Sequence, residues 1–235
     1  MRKLVIIPAY NESGSIQKTI KDLSENAPEF DYIVINDCST DGTKLILEEN
    51  GYPFLDLAVN LGIGGAVQTG YLYAFEHGYD AAVQFDGDGQ HSAVYLREMA
   101  RMIGSGEADM VIGSRFIENE GFQSSGLRRI GIRYFTALIR LLTRKTITDP
   151  TSGMRMVNRK LMERFSKDYP KDYPEPESVV SILIEKYKVR EIPVRMNERE
   201  EGTSSISLWK SVYYMIKVSI AIWIARLGRK NKRTA

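Results

Sequence analysis

Five short apolar runs punctuate the first 112 residues, each separated from the next by a polar turn and a segment of helical spacing. They are Leu4–Pro8, Tyr32–Ile35, Phe54–Val59, Ala81–Phe85 and Ala108–Ile112. Runs this short and uninterrupted are strands covered on both faces, because a half-exposed strand alternates apolar with polar residues. Between the first two, Ile16, Ile20 and Leu23 recur at helical period, with Ser13 or Ser15 available as N-cap. Residues 43–49, 66–77 and 94–103 supply further helices. Strands joined by helices pair in parallel with right-handed crossovers. The expectation is therefore an α/β fold, a Rossmann-like, mostly parallel sheet with helices on both faces.

Beyond residue 120 this alternation lapses. A cationic, apolar segment over 127–145 precedes the loop DPTSG (149–153), a helix over 159–165 and a loop rich in Pro and Tyr, KDYPKDYPEPES. A helix over 179–187, a strand over 189–194 and a last helix over 208–227 follow. The chain reads as one α/β unit over 1–206 and an amphipathic helix with a basic tail over 207–235.

Composition narrows the chemistry. A net charge of +2 gives no whole-molecule field for nucleic acid, although the last eight residues hold four basic groups and no acid. Cys38 is the single cysteine, which excludes an internal disulfide framework and fits a reducing compartment. With only His77 and His91, a His-rich metal site is excluded. No uncharged apolar stretch reaches the roughly 18 residues of a spanning helix. Pro8, Asn11 and Glu12 interrupt the N-terminal run too early for a signal peptide. The expectation is a cytosolic or membrane-peripheral chain.

The densest chemistry follows the fourth run, in FDGDGQH (85–91). Residues two apart in extended backbone point the same way. Asp86 and Asp88 therefore set two hard carboxylates on one side of the strand's carboxyl end, with Gln90 as a third oxygen donor. Gly87 and Gly89 leave the backbone free to turn. Open α/β sheets bind ligands at that end. An all-oxygen set selects Mg²⁺ or Mn²⁺ over zinc, and such an ion neutralises charge on a departing nucleotide diphosphate. The competing reading is a plain Asp-Gly turn. Asp37, at the carboxyl end of the second run, is placed to accept from a ribose hydroxyl or base N–H, while Asp41-Gly42 reads as turn chemistry. LGIGGAVQTG (61–70) either cradles a phosphate at a helix start or permits close helix–sheet packing. It has no Walker lysine and no G-x-G-x-x-G spacing, so packing is favoured.

IPAYNE (7–12), NDCSTDGT (36–43), NLGIGGAVQTG (60–70), QFDGDGQH (84–91), GSR (113–115), DPTSGMR (149–155) and EREEGTSSI (198–206) come in the order found in family-2 glycosyltransferases. Over roughly residues 4–206 the chain resembles the dolichol-phosphate mannose synthase branch and its bacterial polyprenyl-phosphate relatives. That resemblance implies a GT-A fold and metal-dependent, inverting transfer of a sugar from a nucleotide diphosphate sugar. The acceptor it implies is a polyprenyl phosphate, undecaprenyl or dolichyl, at the cytoplasmic membrane face. It also implies that Pro8, Tyr10, Glu12 and Asp37 line the base and ribose, with Ala9, Gly65, Asp86 and Gly87 completing the nucleotide side. Asp86, Asp88 and Gln90 match a metal-binding D-x-D-x-Q. Arg115, Arg128 and Arg129 fall near the acceptor phosphate, and Arg199 matches an arginine that closes over the donor diphosphate. Asp88, Arg115 and Arg199 thus form the expected catalytic set. UDP-linked donors are preferred over GDP-linked ones. Many relatives follow the basic pair with a serine, where this chain has Ile130-Gly131-Ile132-Arg133.

A sugar hydroxyl needs a general base to attack, and hydroxyl-directed members of the superfamily carry a catalytic Asp in a Glu-Asp motif. No such pair stands in the second half, where the nearby acids are Asp149, Glu175 and Glu177. A phosphate monoester is already anionic. Arg115, Arg128, Arg129 and Arg133 suit it, because guanidinium grips phosphate oxygens bidentately. Three of them, Arg128, Arg129 and Arg133, also read with Arg140 as a solvated helix face. Asp149 is open to three readings, a base, a turn cap or an orienting partner for Arg155, and the last is favoured. Segments 127–145 and 208–227 are cationic and amphipathic, the second with Trp209, Tyr213, Tyr214 and Trp223, a profile suited to anionic lipid. For the first, a core-packing helix is an equal reading. Some relatives carry C-terminal spanning helices and this chain stops short of them, which implies docking on a small integral membrane protein. Two other functions compete: transfer to a glycan hydroxyl, and a non-catalytic nucleotide-sugar-binding subunit.

Overall fold

The structure, a computed structural model, describes residues 1–118, 126–171 and 174–197 together with 215, 217, 219 and 220, and for 126–128 the backbone alone. All five apolar runs are strands: β1 (Lys3–Ala9), β2 (Asp31–Asn36), β3 (Phe54–Asp56), β4 (Ala81–Gln84) and β5 (Met110–Ser114). Helices α1 (Ile16–Asn26), α2 (Thr43–Glu49), α3 (Gly62–Glu76) and α4 (Leu96–Gly104) connect them. Then come α5 (Gly126–Thr143), β6 (Arg155–Asn158), α6 (Arg159–Lys167), α7 (Pro174–Ile184) and β7 (Val189–Pro193). Among the described residues these strands form one sheet in the order β3-β2-β1-β4-β6-β5-β7, in which β6 alone runs antiparallel to its neighbours.

Each face of the sheet carries its own core. Leu4, Ile6, Ile33 and Ile35 pack with α3, α5, α6 and α7, whereas Val5, Ile7, Val34 and Val83 pack with α1 and α4. Successive side chains of β1 enter opposite layers, which is why the run is apolar throughout. Each such buried aliphatic side chain contributes about 1.5–3 kcal/mol. Gly70 lets α3 lie directly on β1, since a Cβ there would sit 2.2 Å from Ile6 Cγ2. The helix–sheet packing role favoured for the glycine stretch is what this position performs.

Several boundaries differ from expectation for local reasons. Ser15 occupies the N-cap position of α1, but its hydroxyl donates to Glu12 Oε2 at 2.9 Å and caps no amide. The third strand ends at Asp56, because the segment after it turns toward Asp37: Leu57 N–H donates to the Asn36 carbonyl, and Leu61 N–H to Asp37 Oδ1. α7 starts five residues before the expected 179. Pro174 needs no N–H donor in a first turn, and Glu175 and Glu177 match the positive end of the helix dipole. β6 was not expected as a strand at all. It begins with Arg155, whose side chain is fully buried and donates to the carbonyls of Pro150, Ser152 and Glu175 and to the Ser178 hydroxyl. α5 is a core-packing helix on one face, through Ile132, Phe135, Ile139 and Leu142, while Ile130, Tyr134 and Leu141 stay exposed.

Candidate active site

The strand order reverses direction between β1 and β4, and at such a switch point the loops leaving the two carboxyl ends part to form a crevice. A cleft of about 350 Å³ opens there, within the range of small-ligand sites. Pro8, Ala9, Tyr10 and Glu12 reach it from β1, Asp37 from β2, and Asp86, Gly87 and Asp88 from β4. Asn60, Gly62, Ile63 and Ala66 close it from the start of α3. Every residue expected on the nucleotide side except Gly65 lines this one cleft. Gly65 sits on the first turn of α3, where a Cβ would lie 2.4 Å from Leu61 Cβ. Asn60 and Ile63 were not singled out from sequence.

The loops after β1 and β2 are laced together. Asn11 N–H donates to Ser39 Oγ, Thr40 N–H to Asn11 Oδ1, and Glu12 N–H to Thr43 Oγ1, at 3.0, 2.8 and 2.9 Å. Asn11 and Cys38 hold left-handed backbone at φ +58° and +59°, a conformation that Asn tolerates well and that other residues adopt where the surroundings impose it. Asp41 accepts from the Thr43 and Ser13 amides. Burial raises its carboxyl, but the donors of Thr43 and Ser13 outweigh that and hold it below its ordinary value. Asp41 is thus the turn residue that it was expected to be. The first amides of α3 are engaged by the protein: Leu61 N–H by Asp37, Gly62 N–H by Asn60 Oδ1 and Gly64 N–H by the Lys171 carbonyl.

Asp86 and Asp88 both border the cleft, on an extended turn in which Gln90 N–H donates to Asp88 Oδ1 at 3.1 Å. The Gln90 side chain lies outside the cleft lining, and its amide donates to the Asn197 carbonyl at 3.4 Å. Asp86 is surrounded closely. Gln84 Nε2 donates to its Oδ1 at 3.2 Å, His91 Nε2 stands 3.6 Å from Oδ2, and a Cβ on Gly153 would meet Oδ2 at 2.5 Å. None of these three contacts was anticipated. The one sequence signal was a glycine in DPTSG, a motif whose backbone approach to Asp86 is set by β6 pairing with β4.

At the other end of the same loop stands Asp149. It does not orient Arg155 as expected. Arg115 Nε donates to its Oδ2 at 2.7 Å and Arg115 Nη2 to its Oδ1 at 2.8 Å, in a pair 5% and 0% exposed. Arg155 is held instead by the carbonyls named above. Thr148 and Asp149 amides donate to Glu191 on β7. Burial pushes the Glu191 carboxyl above its usual range, against the lowering effect of those amides.

A second opening, about 670 Å³, runs along α5. Arg129, Arg133 and Arg140 line it with Phe116, Ile132, Ala137, Leu141 and Thr148. Arg129 and Arg133 are one helical turn apart and share a face. Arg115 is buried beside it in the Asp149 pair. The Arg128 side chain and Arg199 lie outside the described residues, as does most of the expected interfacial helix over 208–227.

This architecture has known counterparts among GT-A enzymes. Glucosyl-3-phosphoglycerate synthase of Mycobacterium tuberculosis, solved with Mn²⁺, uridine diphosphate and glucosyl-3-phosphoglycerate, superposes with a TM-score of 0.72 at 18% identity, covering 97% of this chain and 80% of that one. The pattern of Glycosyl transferase family 2 matches residues 4–165. Undecaprenyl-phosphate mannosyltransferase of Micrococcus luteus is 30% identical over 216 residues, 88% of each chain. UDP-N-acetylglucosamine–dolichyl-phosphate N-acetylglucosaminyltransferase of Methanococcus voltae is 28% identical over 240 residues, 92% of this chain and 95% of its own. The chain belongs to glycosyl transferase family 2 and is a glycosyltransferase.

Gly153→Ala is expected to preserve the fold and to cut glycosyl transfer about a hundredfold, the scale of a misplacement near 1 Å. The added methyl meets the tip of a side chain, which yields easily, but that tip is the Asp86 carboxylate. Turnover measured beside a thermal melt checks this. Unchanged turnover would mean that the position of Asp86 is immaterial.

Proposed function

We propose that the chain transfers a sugar from a nucleotide diphosphate, with uridine preferred, to a polyprenyl phosphate at the inner face of a membrane, with inversion at the sugar carbon. The observation that carries this reading is the loop 148–153. Its Thr148 end lines the arginine groove, and its Gly153 end abuts the Asp86 carboxylate. One short loop thus runs from a groove both cationic and apolar to the carboxylate that borders a cleft of oxygen donors, an arrangement that suits acceptor and donor subsites for two phosphorylated substrates.

Asp86 and Asp88, with Gln90 beside them, would hold Mg²⁺ or Mn²⁺, which supplies charge neutralisation for the departing nucleoside diphosphate. The donor set fits such an ion. No group of three or more His, Cys, Asp or Glu residues able to hold a metal occurs among the described residues. A hard cation bound by two carboxylates and completed by substrate phosphates needs no larger cage. The protein's own work is then alignment. Pro8, Tyr10 and Asp37 line a cleft sized for a nucleoside, and Arg129 and Arg133 offer guanidinium forks to an acceptor phosphate. Asp149, with both oxygens taken by Arg115, is poorly disposed to act as a base. A phosphate acceptor requires none, and a single in-line displacement inverts the carbon attacked.

The apolar residues of the groove suit the first isoprene units behind the phosphate. Leu141 and Ile130, 71% and 61% exposed on α5, suit a protein that lies against lipid. No helix of the described residues is long and apolar enough to cross a membrane. Segment 207–235 would add a basic, aromatic surface for lipid or for a small integral membrane protein. The M. luteus and M. voltae relatives are named for undecaprenyl-phosphate and dolichyl-phosphate acceptors, which supports the acceptor class. UDP in the second name and in the M. tuberculosis complex supports uridine.

The test is incubation with Mn²⁺ or Mg²⁺, a panel of UDP- and GDP-sugars, and undecaprenyl or dolichyl phosphate, following released nucleotide and glycolipid separately. Arg129→Ala is expected to lower glycolipid formation about tenfold to a hundredfold, the worth of one charged hydrogen bond. Donor binding should stay unchanged. Transfer to a free glycan in the absence of lipid phosphate would replace this reading with the hydroxyl-directed one.

A further inference from the structure

Gln84 is the polar residue that the fold has least reason to keep. It ends β4, paired in register with Ile6 of β1 on one side and Arg155 of β6 on the other, and is 1% exposed. Its Oε1 has no hydrogen-bond partner among the described residues. A buried carbonyl oxygen left unpaired costs about 1–3 kcal/mol, so a methionine of the same shape would serve the sheet better. Among the described residues the side chain makes one bond, from Nε2 to Asp86 Oδ1 at 3.2 Å. Turning the amide over would set oxygen against carboxylate oxygen, so the carboxylate decides its orientation.

His91 faces the other oxygen. The Asp86 backbone N–H donates to His91 Nδ1 at 3.0 Å, which leaves the ring proton of the neutral imidazole on Nε2. That N–H stands 3.6 Å from Asp86 Oδ2, an electrostatic contact longer than a hydrogen bond. The ring is fixed from behind, packed edge-on against Phe85 with centroids 5.2 Å apart, and its side chain is 2% exposed. Gly153 closes a third side by backbone contact.

We propose that Gln84 and His91 are positioning residues for the donor site, holding the two oxygens of Asp86 from opposite sides and so setting the direction in which it meets a divalent cation. The inference rests on the metal-dependent donor reading above. Groups that orient a metal-binding side chain are worth tenfold to a hundredfold in affinity, because a free carboxylate must give up its rotamer freedom on binding.

The experiment measures three quantities for the purified chain and for Gln84→Met, His91→Ala and His91→Gln. They are the melting temperature without metal, the affinity for UDP without metal, and the affinity for Mn²⁺ at saturating UDP, by calorimetry. Gln84→Met is expected to melt at or above the wild-type temperature, to bind UDP equally, and to bind Mn²⁺ about tenfold more weakly. His91→Ala is expected to weaken Mn²⁺ by a similar factor, and His91→Gln, which restores a donor near the Nε2 position, to recover part of it. Wild-type affinity for Mn²⁺ in Gln84→Met and His91→Ala overturns the inference and leaves the donor site standing. Losses of affinity that merely follow losses of melting temperature assign the pair to folding and overturn it too. If the wild-type protein binds no Mn²⁺ with UDP present, the donor reading fails, and the inference with it.

Discussion

Asp88→Asn is expected to lower metal-dependent release of the nucleoside diphosphate about a thousandfold, the upper range for removing one preorganised charge-stabilising group. The substitution is close to isosteric. The Asn side-chain oxygen can still accept the Gln90 N–H that Asp88 Oδ1 accepts at 3.1 Å, so the turn leaving β4 keeps its local bond. Asp88 is partly exposed at the cleft, and the melting temperature should therefore move by no more than about 2 °C. What disappears is one of the two carboxylates proposed to hold the divalent cation. UDP affinity measured without metal should be untouched, while Mn²⁺-dependent turnover collapses. Retained turnover would remove the chemical basis of the reading.

Asp149→Asn is expected to act on stability first. The Arg115–Asp149 pair is 5% and 0% exposed, with two short, parallel hydrogen bonds. Removing one charge breaks a buried ion pair, a loss of about 3–5 kcal/mol. For a chain of this size that lowers the melting temperature by roughly 10 °C. The double variant Arg115→Met/Asp149→Leu should regain most of that stability, since a buried ion pair exchanged for apolar residues of similar volume is often neutral. It should still fail to glycosylate a lipid phosphate if Arg115 belongs to the acceptor side. A hydroxyl-directed enzyme using Asp149 as base predicts in addition that Asp149→Asn loses turnover at temperatures where the variant is still folded. Thermal melts and turnover on the same samples separate the two.

Much of this was legible in the residues. The five apolar runs are β1 to β5, and the acids after β4 reach the cleft together with Pro8, Tyr10, Glu12 and Asp37 from two other strands. Local pattern sufficed there, because burial on both faces and period-two geometry leave a readable trace. The misses share a cause. β6 begins with an arginine and is four residues long, so neither length nor polarity marks it as a strand. Between β4 and β5 its buried arginine is satisfied by three carbonyls and a hydroxyl that the loop and α7 supply, partners that no local pattern marks. The partner of Asp149 is hidden in sequence for the same reason: Arg115 and Arg155 are equally plausible there, and the sheet brings Arg115 to it.

Order along the chain thus settled the α/β class, the layered core and which strand ends carry the acidic chemistry, since these follow from periodicities of a few residues. Tertiary structure alone decided that Gly153 abuts Asp86, that Asp149 pairs with Arg115 and that the loop holding Gly153 and Asp149 runs on to a groove lined by arginines. Contacts of residue 86 with 153, or of 115 with 149, depend on strand order and register, and no local pattern encodes those.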